Sequence, residues 1–558
     1  MPRPASLPLE AAALCDAAAD CDIFRQRHAP DTAVGYHAPV PLQDADRLGR
    51  RAVAWIAVGL AAGALAVGFR SVLHAAYQLI LGSGSVFAGV SALSPWQCVV
   101  YPALGCFLAT GLVALARRGN QGVGGVMEAV SLARGRISFR ASLARAAACF
   151  AAVASGASLG REGPIIQVGA GTGAAIGRRL ALGEDDVRVL IAAGTAAGFA
   201  AAYGTPLAAL LFVSEIVTGA TSLRVLMPAA LATVASTALS RFFVGAAPLY
   251  GAHEYGVSAA GDLVLFAVLG VAGGVAGVGF MLVLEAVQRA LGRLPGPSPL
   301  RGAVGGALAG AIAIGLPAVA GNGYEAVHQV LEVGGPALVL LLLVVGKTAA
   351  TASAVGGGSP GGVFTPALFL GAVLGRLLGS GFAEVDATAP ARAYALVGMA
   401  ALCAATTHAP LMAAVLVFEL SGDYGLALPL LAAAMIATAV ARRLRRDSLY
   451  TEELRRRGVA WAEAPARVVA TPLPPVAPEL PPGFVLALVP APRWIQERPI
   501  TDVQSHPGLP AVIAVRRGGD QWLEAHGSLI VLAGDELLAA GPPESVALLG
   551  RFEPGTIA

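Results

Sequence analysis

Two charged residues, Arg161 and Glu162, stand between glycines in the segment GREGP (160–164), with apolar sequence on both sides. A related segment, GGVFTP (361–366), also places a proline a few residues after glycines. Proline suits the first turn of a helix, and a helix that begins inside a membrane offers unpaired N–H groups and a partial positive charge at its N-terminus. Such a helix end binds an anion without any cationic side chain. The two segments therefore predict an anion pathway lined by helix N-termini, to which GVGGV (122–126) could add a third, flexible backbone segment.

The composition indicates that these segments lie in a membrane. Apolar residues make up 56% of the 558-residue chain and charged residues only 13%, whereas a soluble chain carries about 25% charged residues. Apolar stretches recur from about residue 52 to about residue 441 and contain most of the 70 glycines, and small residues let membrane helices approach one another closely. We therefore predict an all-α, polytopic membrane protein in the lipid bilayer, without a signal peptide. The net charge of +3 says little about other partners, and we expect no nucleic acid among them.

Arginine clusters indicate the orientation of the chain. They occur at 47–51, 117–118, 134–145, 178–179 and 442–457, and the positive-inside rule assigns such loops to the cytoplasm. The last cluster leads into the C-terminal tail. We therefore expect cytoplasmic N- and C-terminal regions and a multi-pass protein of the cell (inner) membrane.

Changes in composition divide the chain into four regions. We predict a polar cytosolic N-terminal extension, a transmembrane domain, a linker and a small α+β cytosolic domain. Seven prolines stiffen the linker. The regions are residues 1–50, 51–450, 451–483 (proline-rich at 465–482) and 484–558.

The transmembrane region contains an internal repeat. Residues 194–216 and 398–420 are identical at ten of 23 positions with a constant offset of 204. The halves that carry them, about 51–250 and 260–450, have Gly/Pro-interrupted helices in matching places, which is typical of a transporter-type fold with its site where the broken helices meet.

Five ordered motifs resemble those of the CLC chloride channels and chloride/proton exchangers, over roughly residues 50–455. They are GREGP (160–164), PLAALLFVSE (206–215), GGVFTP (361–366), FELSGDY (418–424) and SLY (448–450). The resemblance implies a CLC-type fold of two repeated halves with broken helices. It also implies a homodimer that moves chloride or similar anions, each subunit having its own pathway.

The resemblance assigns a role to each matched residue. Glu162 resembles the gating glutamate, whose carboxylate occupies the pathway in place of an anion and swings away when it is protonated or displaced. The backbone amides of Val363 and Phe364, the Tyr450 hydroxyl and the charge of Arg161 would hold the anion. The implied anion-binding residues are Arg161, Gly163, Val363, Phe364 and Tyr450.

The chain departs from the family in the segment that should read GSGIP near 119–126, where it reads GNQGVGG. Either Gln121 or Val123 replaces the usual serine, so the side-chain hydroxyl at the central site is missing. We expect weaker or different coordination there, and the preference among chloride, nitrate and other anions is open. The altered residues are Gln121, Gly122, Val123 and Gly124.

A second departure concerns protons. In the family's exchangers a glutamate that relays protons directly follows the residue matching Glu215, and here that position is Ile216. An isoleucine carries no proton, which favours a channel. A chloride/proton exchanger is the alternative, because some relatives without this acid still exchange protons. Glu215 and its repeat partner Glu419 we interpret as structural, near a subunit interface.

The C-terminal tail suggests a regulatory role. Residues 511–541 read as short strands with turns at Gly519–Asp520 and Gly534–Asp535, and a short helix follows Pro543. This resembles the TrkA-C type of domain of potassium-uptake and potassium-conductance proteins, over about 484–551, and implies an unidentified small-molecule ligand. A tail that only assists dimer assembly is the alternative. A potassium channel finds no support, since no TVGYG-like filter occurs in the sequence.

Other functions find little support. No nucleophile–base or metal constellation appears, so we expect no enzyme, no metal and no cofactor. Gly346–Lys347–Thr348 resembles the end of a phosphate-binding loop, but Leu341 stands where that motif needs glycine; we expect Lys347 to offset the field near the pathway or to pair with an acid. A non-conducting anion sensor is the alternative from another class.

Overall fold

The structure, a computed structural model, describes residues 42–115, 122–131, 137–245, 247–251, 260–385, 389–456, 485–504, 509–517, 521–525 and 529–549. Of the predicted N-terminal extension it describes only residues 42–50, which are helical. Gln121 and residues 457–483 of the predicted linker lie outside the described residues.

The described chain up to Arg456 is almost entirely α-helical. Its helices are α1 (Leu42–Leu81), α2 (Val86–Ala92), α3 (Pro95–Leu115), α4 (Val123–Ser131), α5 (Phe139–Ala154), α6 (Glu162–Arg179), α7 (Glu184–Tyr203), α8 (Pro206–Phe212), α9 (Leu223–Val244), α10 (Ala260–Gly292), α11 (Ser298–Gly315), α12 (Tyr324–Glu332), α13 (Ala337–Gly356), α14 (Phe364–Phe382), α15 (Ala391–Thr407), α16 (Pro410–Ser421), α17 (Ala427–Leu444) and α18 (Leu449–Arg456).

Seven helical segments in the described residues are long and apolar enough to cross a membrane, which agrees with a multi-pass protein. They are Arg51–Ala92, Pro95–Leu115, Leu223–Val244, Asp262–Gly292, Ala337–Gly356, Phe364–Phe382 and Tyr424–Arg456. Other apolar helices, such as α15 and α16, are shorter than the roughly 20 residues that span a bilayer. The ends of such short helices need protein or a water-filled cavity around them.

The internal repeat is visible in the helix order. In the first half α6, α7 and α8 follow one another, and in the second half α14, α15 and α16 do the same. Within each of these triplets the first two helices pack through a pair of glycines: Gly169 against Gly194, and Gly371 against Gly398. They approach so closely that a Cβ on any of the four glycines would collide with the backbone of its partner. Glycine at these positions therefore permits backbone contact between helices.

The two halves also cap each other's helices. The Glu215 carboxylate accepts hydrogen bonds from the backbone N–H groups of Leu411 (3.3 Å) and Met412 (2.7 Å), in the first turn of α16. Glu419 accepts from Leu207 (3.1 Å) and Ala208 (2.8 Å) at the start of α8. Each carboxylate satisfies N–H groups that the helix itself leaves unpaired and complements the positive end of its dipole. The structural interpretation of these two acids agrees with this geometry.

Removing either cap should destabilise the membrane domain by similar amounts. We expect Glu419→Ala and Glu215→Ala each to lower the free energy of unfolding by about 1–2 kcal/mol, the usual cost of losing an N-cap. Thermal unfolding of the detergent-solubilised protein, followed by size-exclusion chromatography, measures this. The exposed Asp185 pairs with its neighbour Arg188 at 3.2 Å across one turn, so Asp185→Ala is a control with little expected effect.

The described residues between 485 and 549 form a small α+β domain. Four strands, β1 (Val485–Pro490), β2 (Ala511–Arg517), β3 (Gln521–Glu524) and β4 (Glu536–Gly541), build an antiparallel sheet in the order β1-β4-β2-β3, with helices α19 (Thr501–Gln504) and α20 (Pro543–Leu549).

The turn predicted at Gly519–Asp520 lies outside the described residues, whereas the turn predicted at Gly534–Asp535 and the final helix agree with the structure. Strands β2 and β3 pair as neighbours, Gly534 has a φ of +86° just before β4, and α20 begins at Pro543. Beside that turn the buried Asp535 carboxylate binds the Arg517 guanidinium through two hydrogen bonds of 2.8 and 2.6 Å. These hydrogen bonds raise the pKa of Arg517.

A chain that ends near Ala470, within the proline-rich linker, should still fold and conduct anions. The membrane helices and the C-terminal sheet have separate hydrophobic cores, so removing the sheet exposes no core of the membrane domain. Anion flux of the truncated protein in liposomes checks this, with full-length protein at equal density as the reference. Loss of flux in properly assembled truncated protein would make the domain part of the conduction machinery.

Candidate functional site

The loops that precede α6 and α14 are paired with each other. Gly160 donates a hydrogen bond to the Gly362 carbonyl, and Gly362 donates one to the Gly160 carbonyl, both at 2.7 Å. Gly163 lies on the same junction, since a Cβ there would be 3.7 Å from the Cα of Gly362. Two residues after each bridging glycine a helix begins, α6 at Glu162 and α14 at Phe364. The bridge therefore holds two helix N-termini, one from each half, side by side.

Glu162 is the first residue of α6, and its side chain is fully buried. Neither carboxylate oxygen accepts a hydrogen bond from the described residues, and the nearest cation contact is Arg161 Nε, 4.0 Å from Oε1. The carboxylate folds back over the glycine bridge, because a Cβ at Gly160 would lie 2.5 Å from Glu162 Oε2. A buried carboxylate is costly without compensation, and the two helix ends beside it supply positive potential.

Aromatic side chains surround this junction. The Phe364 ring meets Phe199 and Tyr203 edge to face, at centroid distances of 5.8 and 5.7 Å. Tyr203 and Thr365 share a hydrogen bond of 3.1 Å, and the Arg161 guanidinium lies 5.5 Å from the centre of the Tyr324 ring. The sequence interpretation missed Tyr203 and Tyr324, because no motif or spacing links them to the junction. It also gave no role to Thr365, although this residue belongs to the GGVFTP motif.

A cavity of about 620 Å³ reaches the junction from the end of the membrane domain that leads to the tail. Gly163, Val363 and Tyr450 line it, so three of the predicted anion-binding residues meet in one space. Arg161, Glu162 and Phe364 are not part of its lining. The cavity therefore stops one residue short of Glu162 on one helix and of Phe364 on the other.

The altered segment near residue 122 lines the same cavity through Gly122 and Val123. It is not the flexible segment that the glycines suggested, because α4 begins at Val123 and the N–H groups of Gly125 and Val126 donate to the Gly122 carbonyl at 3.0 and 3.3 Å. Tertiary packing can hold a glycine-containing segment in a helix, and α4 is buried over most of its length. The segment thus adds a third helix N-terminus without a side-chain hydroxyl.

Several charged residues that line the cavity beside α18 are paired with one another, and we call this end of the cavity the entrance. Glu285 holds Arg445 through hydrogen bonds of 3.2 and 2.7 Å. Glu452 holds Arg455 and Arg456, each at 2.8–2.9 Å. The arginines keep these two carboxylates in an ion-pair network beside the entrance.

Ile216, at the position of the family's proton relay, is buried and lines a second cavity of about 360 Å³. It lies in a π-helical turn, Val213–Thr218, that continues α8. His408, Arg442 and Arg446 line the same cavity. His408 has a φ of +59°, in the left-handed region that favours glycine, and the equivalent residue of the first half is Gly204 with a φ of +75°.

Within the described residues Lys347 pairs with no acid, which was one of the two roles expected from the sequence; the other, offsetting the field near the pathway, stays a prediction. Its buried ammonium group donates to the carbonyls of Val319 (3.0 Å) and Gly321 (2.8 Å), and it lies 5.2 Å from the centre of the Phe369 ring. These carbonyls are the partners that a buried cation needs in the absence of a carboxylate. Lys347 therefore ties α13 to the loop before α12.

Comparison with known proteins supports the same picture. Residues 104–442 match the protein family described as "Voltage gated chloride channel". A protein of Ralstonia nicotianae named as a ClcB-like chloride channel protein is 37% identical over 408 residues, covering 71% of this chain and 94% of its own. The voltage-gated ClC-type chloride channel ClcB of Escherichia coli O9:H4 is 34% identical over 413 residues, covering 72% and 98%.

Solved structures resemble the same part of the chain. A slow cyanobacterial Cl⁻/H⁺ antiporter superimposes with a TM-score of 0.67 at 25% identity, covering 73% of this chain and 98% of its own. A CLC-type fluoride/proton antiporter does so with a TM-score of 0.62 at 23% identity, covering 72% and 97%. The fold predicted from the motifs is thereby confirmed.

Proposed function

The chain belongs to the CLC family of chloride channels and transporters, and we propose that it is a channel through which chloride moves passively along a pathway gated by Glu162. As a member of this family it is a multi-pass membrane protein that transports anions, and it is not an enzyme. Its bacterial relatives indicate the cell membrane as its location.

The arrangement at the glycine bridge carries the assignment of the pathway. Helices α6 and α14 direct their N-termini to one junction, and such ends attract anions. The Glu162 carboxylate lies at this junction, one residue beyond the lining of the large cavity. This arrangement supports the proposal that Glu162 acts as a tethered anion. The proposed anion path follows the backbone near Gly163, Val363 and Phe364, together with Tyr450 and the charge of Arg161.

Ile216 supports a channel over an exchanger. Exchange requires a proton to travel from the tail side to Glu162 while anions move the other way. The buried Ile216 side chain offers neither a donor nor an acceptor for that proton. The neighbouring Glu215 carboxylate is engaged as the cap of α16.

One observation favours an exchanger as a second candidate. His408 lines the same cavity as Ile216 and keeps a backbone conformation that suits glycine, so its imidazole could take the place of the missing carboxylate. A protonated imidazole would, however, face the positive charges of Arg442 and Arg446 in that cavity. The two transport modes differ in whether a pH difference affects chloride movement.

We further propose a homodimer with one pathway per subunit and with both terminal regions in the cytoplasm. The arginines near the end of α17 and in α18 support this orientation by the positive-inside rule. For the C-terminal sheet we propose a regulatory role, through a small-molecule ligand as in the TrkA-C type of domain.

Chloride efflux from liposomes that contain the purified protein tests the proposed function. We expect efflux that needs no proton gradient and that carries net charge. A non-conducting anion sensor would release no chloride under any gradient, and that result would reject the transport proposal as a whole.

A further inference from the structure

Glu453 lies three residues beyond Tyr450 in α18, and both residues line the large cavity. Residues three apart lie on the same face of a helix. Glu453, three residues beyond the SLY motif, thus brings a carboxylate to the same side of the cavity as Tyr450.

The Glu453 carboxylate packs against the N-terminus of α4. A Cβ at Gly122 would lie 3.0 Å from Glu453 Oε1 and 3.1 Å from Oε2, and a Cβ at Gly124 would lie 3.1 Å from Oε2. The two glycines therefore leave the space that the carboxylate fills. Because the helix hydrogen bonds of α4 begin with Gly125 and Val126 donating to Gly122, the N–H groups ahead of Gly125 are not used within the helix.

The same end of α4 borders the anion path. Gly122 and Val123 line one cavity with Gly163 and Val363, which belong to the N-termini of α6 and α14. The described part of this end, Gly122–Gly125, contains no side-chain donor, so its attraction for an anion comes from backbone N–H groups and the helix dipole. A carboxylate and a chloride ion both seek such groups.

We propose that Glu453 is a second tethered competitor for the anion, at the tail side of the pathway. Its carboxylate occupies the N-terminus of α4 when no anion is bound there, and chloride must displace it to pass. This proposal rests on the proposed anion pathway. It assigns to one pathway two carboxylates, Glu162 at the junction of α6 and α14 and Glu453 at the end of α4.

Glu285 provides a matched control. Its carboxylate lines the same cavity, but Arg445 holds it at 2.7 Å in the ion-pair network near the entrance. Glu285→Gln removes the same charge from the same space without touching the end of α4. A comparison of the two variants therefore separates occupation of the helix end from a general reduction of negative charge.

Chloride binding to the purified full-length protein tests the proposal, measured by isothermal titration calorimetry at constant ionic strength with gluconate as the replacement anion. Glu453→Gln should lower the chloride dissociation constant by about tenfold, which corresponds to about 1.4 kcal/mol. Glu453→Asp, which withdraws the carboxylate by one methylene group, should lower it by a smaller factor. Glu285→Gln should change it by less than about twofold, because Arg445 holds this carboxylate and the carboxylate beside Gly122 and Gly124 is that of Glu453.

The outcomes separate this inference from the proposed function. An unchanged dissociation constant in both Glu453 variants would overturn it, and so would an equal change in Glu285→Gln. If Glu453→Gln does not assemble, as judged by size-exclusion chromatography, Glu453→Asp decides alone. Wild-type protein that binds chloride but conducts none in liposomes would reject the channel and leave the competition at α4 measurable.

Discussion

Glu162→Gln should leave the anion pathway open and its flux nearly insensitive to pH. In the proposed mechanism the ionised carboxylate of the wild-type protein competes with chloride at the junction of α6 and α14, so acidification, which neutralises it, should increase the flux. Glutamine has a similar shape but no charge. The attraction of a partly buried anion to a helix N-terminus is worth up to about 2 kcal/mol, so we expect about a tenfold increase in flux at neutral pH.

Chloride efflux from liposomes at several pH values measures this effect. Glu325→Gln is the matched control, because it removes an exposed carboxylate next to Tyr324 that binds Ser85 and Phe87 and does not reach the glycine bridge. The control should retain the pH response of the wild type. A Glu162→Gln protein with an unchanged pH response would remove Glu162 from the gating role.

Chloride flux should follow the electrochemical gradient of chloride alone. With Ile216 at the relay position, a tenfold chloride gradient should give a reversal potential of about 59 mV, and an added pH difference should not shift it. Planar-bilayer or liposome recordings with opposed chloride and pH gradients measure this. Ile216→Glu need not restore exchange, because we expect the altered segment that includes Gly122 and Val123 to change anion binding as well.

A chloride gradient that drives protons uphill in wild-type vesicles would reject the channel and favour the exchanger. In that case His408→Gly tests whether the imidazole carries the protons, since glycine suits the left-handed backbone at this position and removes the imidazole. Loss of proton movement in this variant, with chloride flux retained, would identify His408 as the relay. Retained proton movement would exclude it.

Local sequence determined much of this protein. The apolar composition and the short interrupted helices predict a polytopic all-α protein. GREGP and GGVFTP predict the starts of α6 and α14, because glycine and proline restrict or free the backbone at their own positions. The constant offset between the halves predicts the repeated helix order. In the tail, Gly534 and Pro543 predict a turn and a helix start for the same local reason.

The tertiary structure decided which distant residues meet. The pairing of Gly160 with Gly362, the exchange of caps by Glu215 and Glu419, and the carbonyl partners of Lys347 join segments that are far apart in the chain. A sequence pattern reports the conformation of neighbouring residues, whereas such contacts depend on how whole helices pack. The burial of Gly122–Gly125 in α4 and the placement of Glu453 against it have the same origin. Packing turned a glycine-rich stretch into a helix end and brought to it a carboxylate that no motif contains.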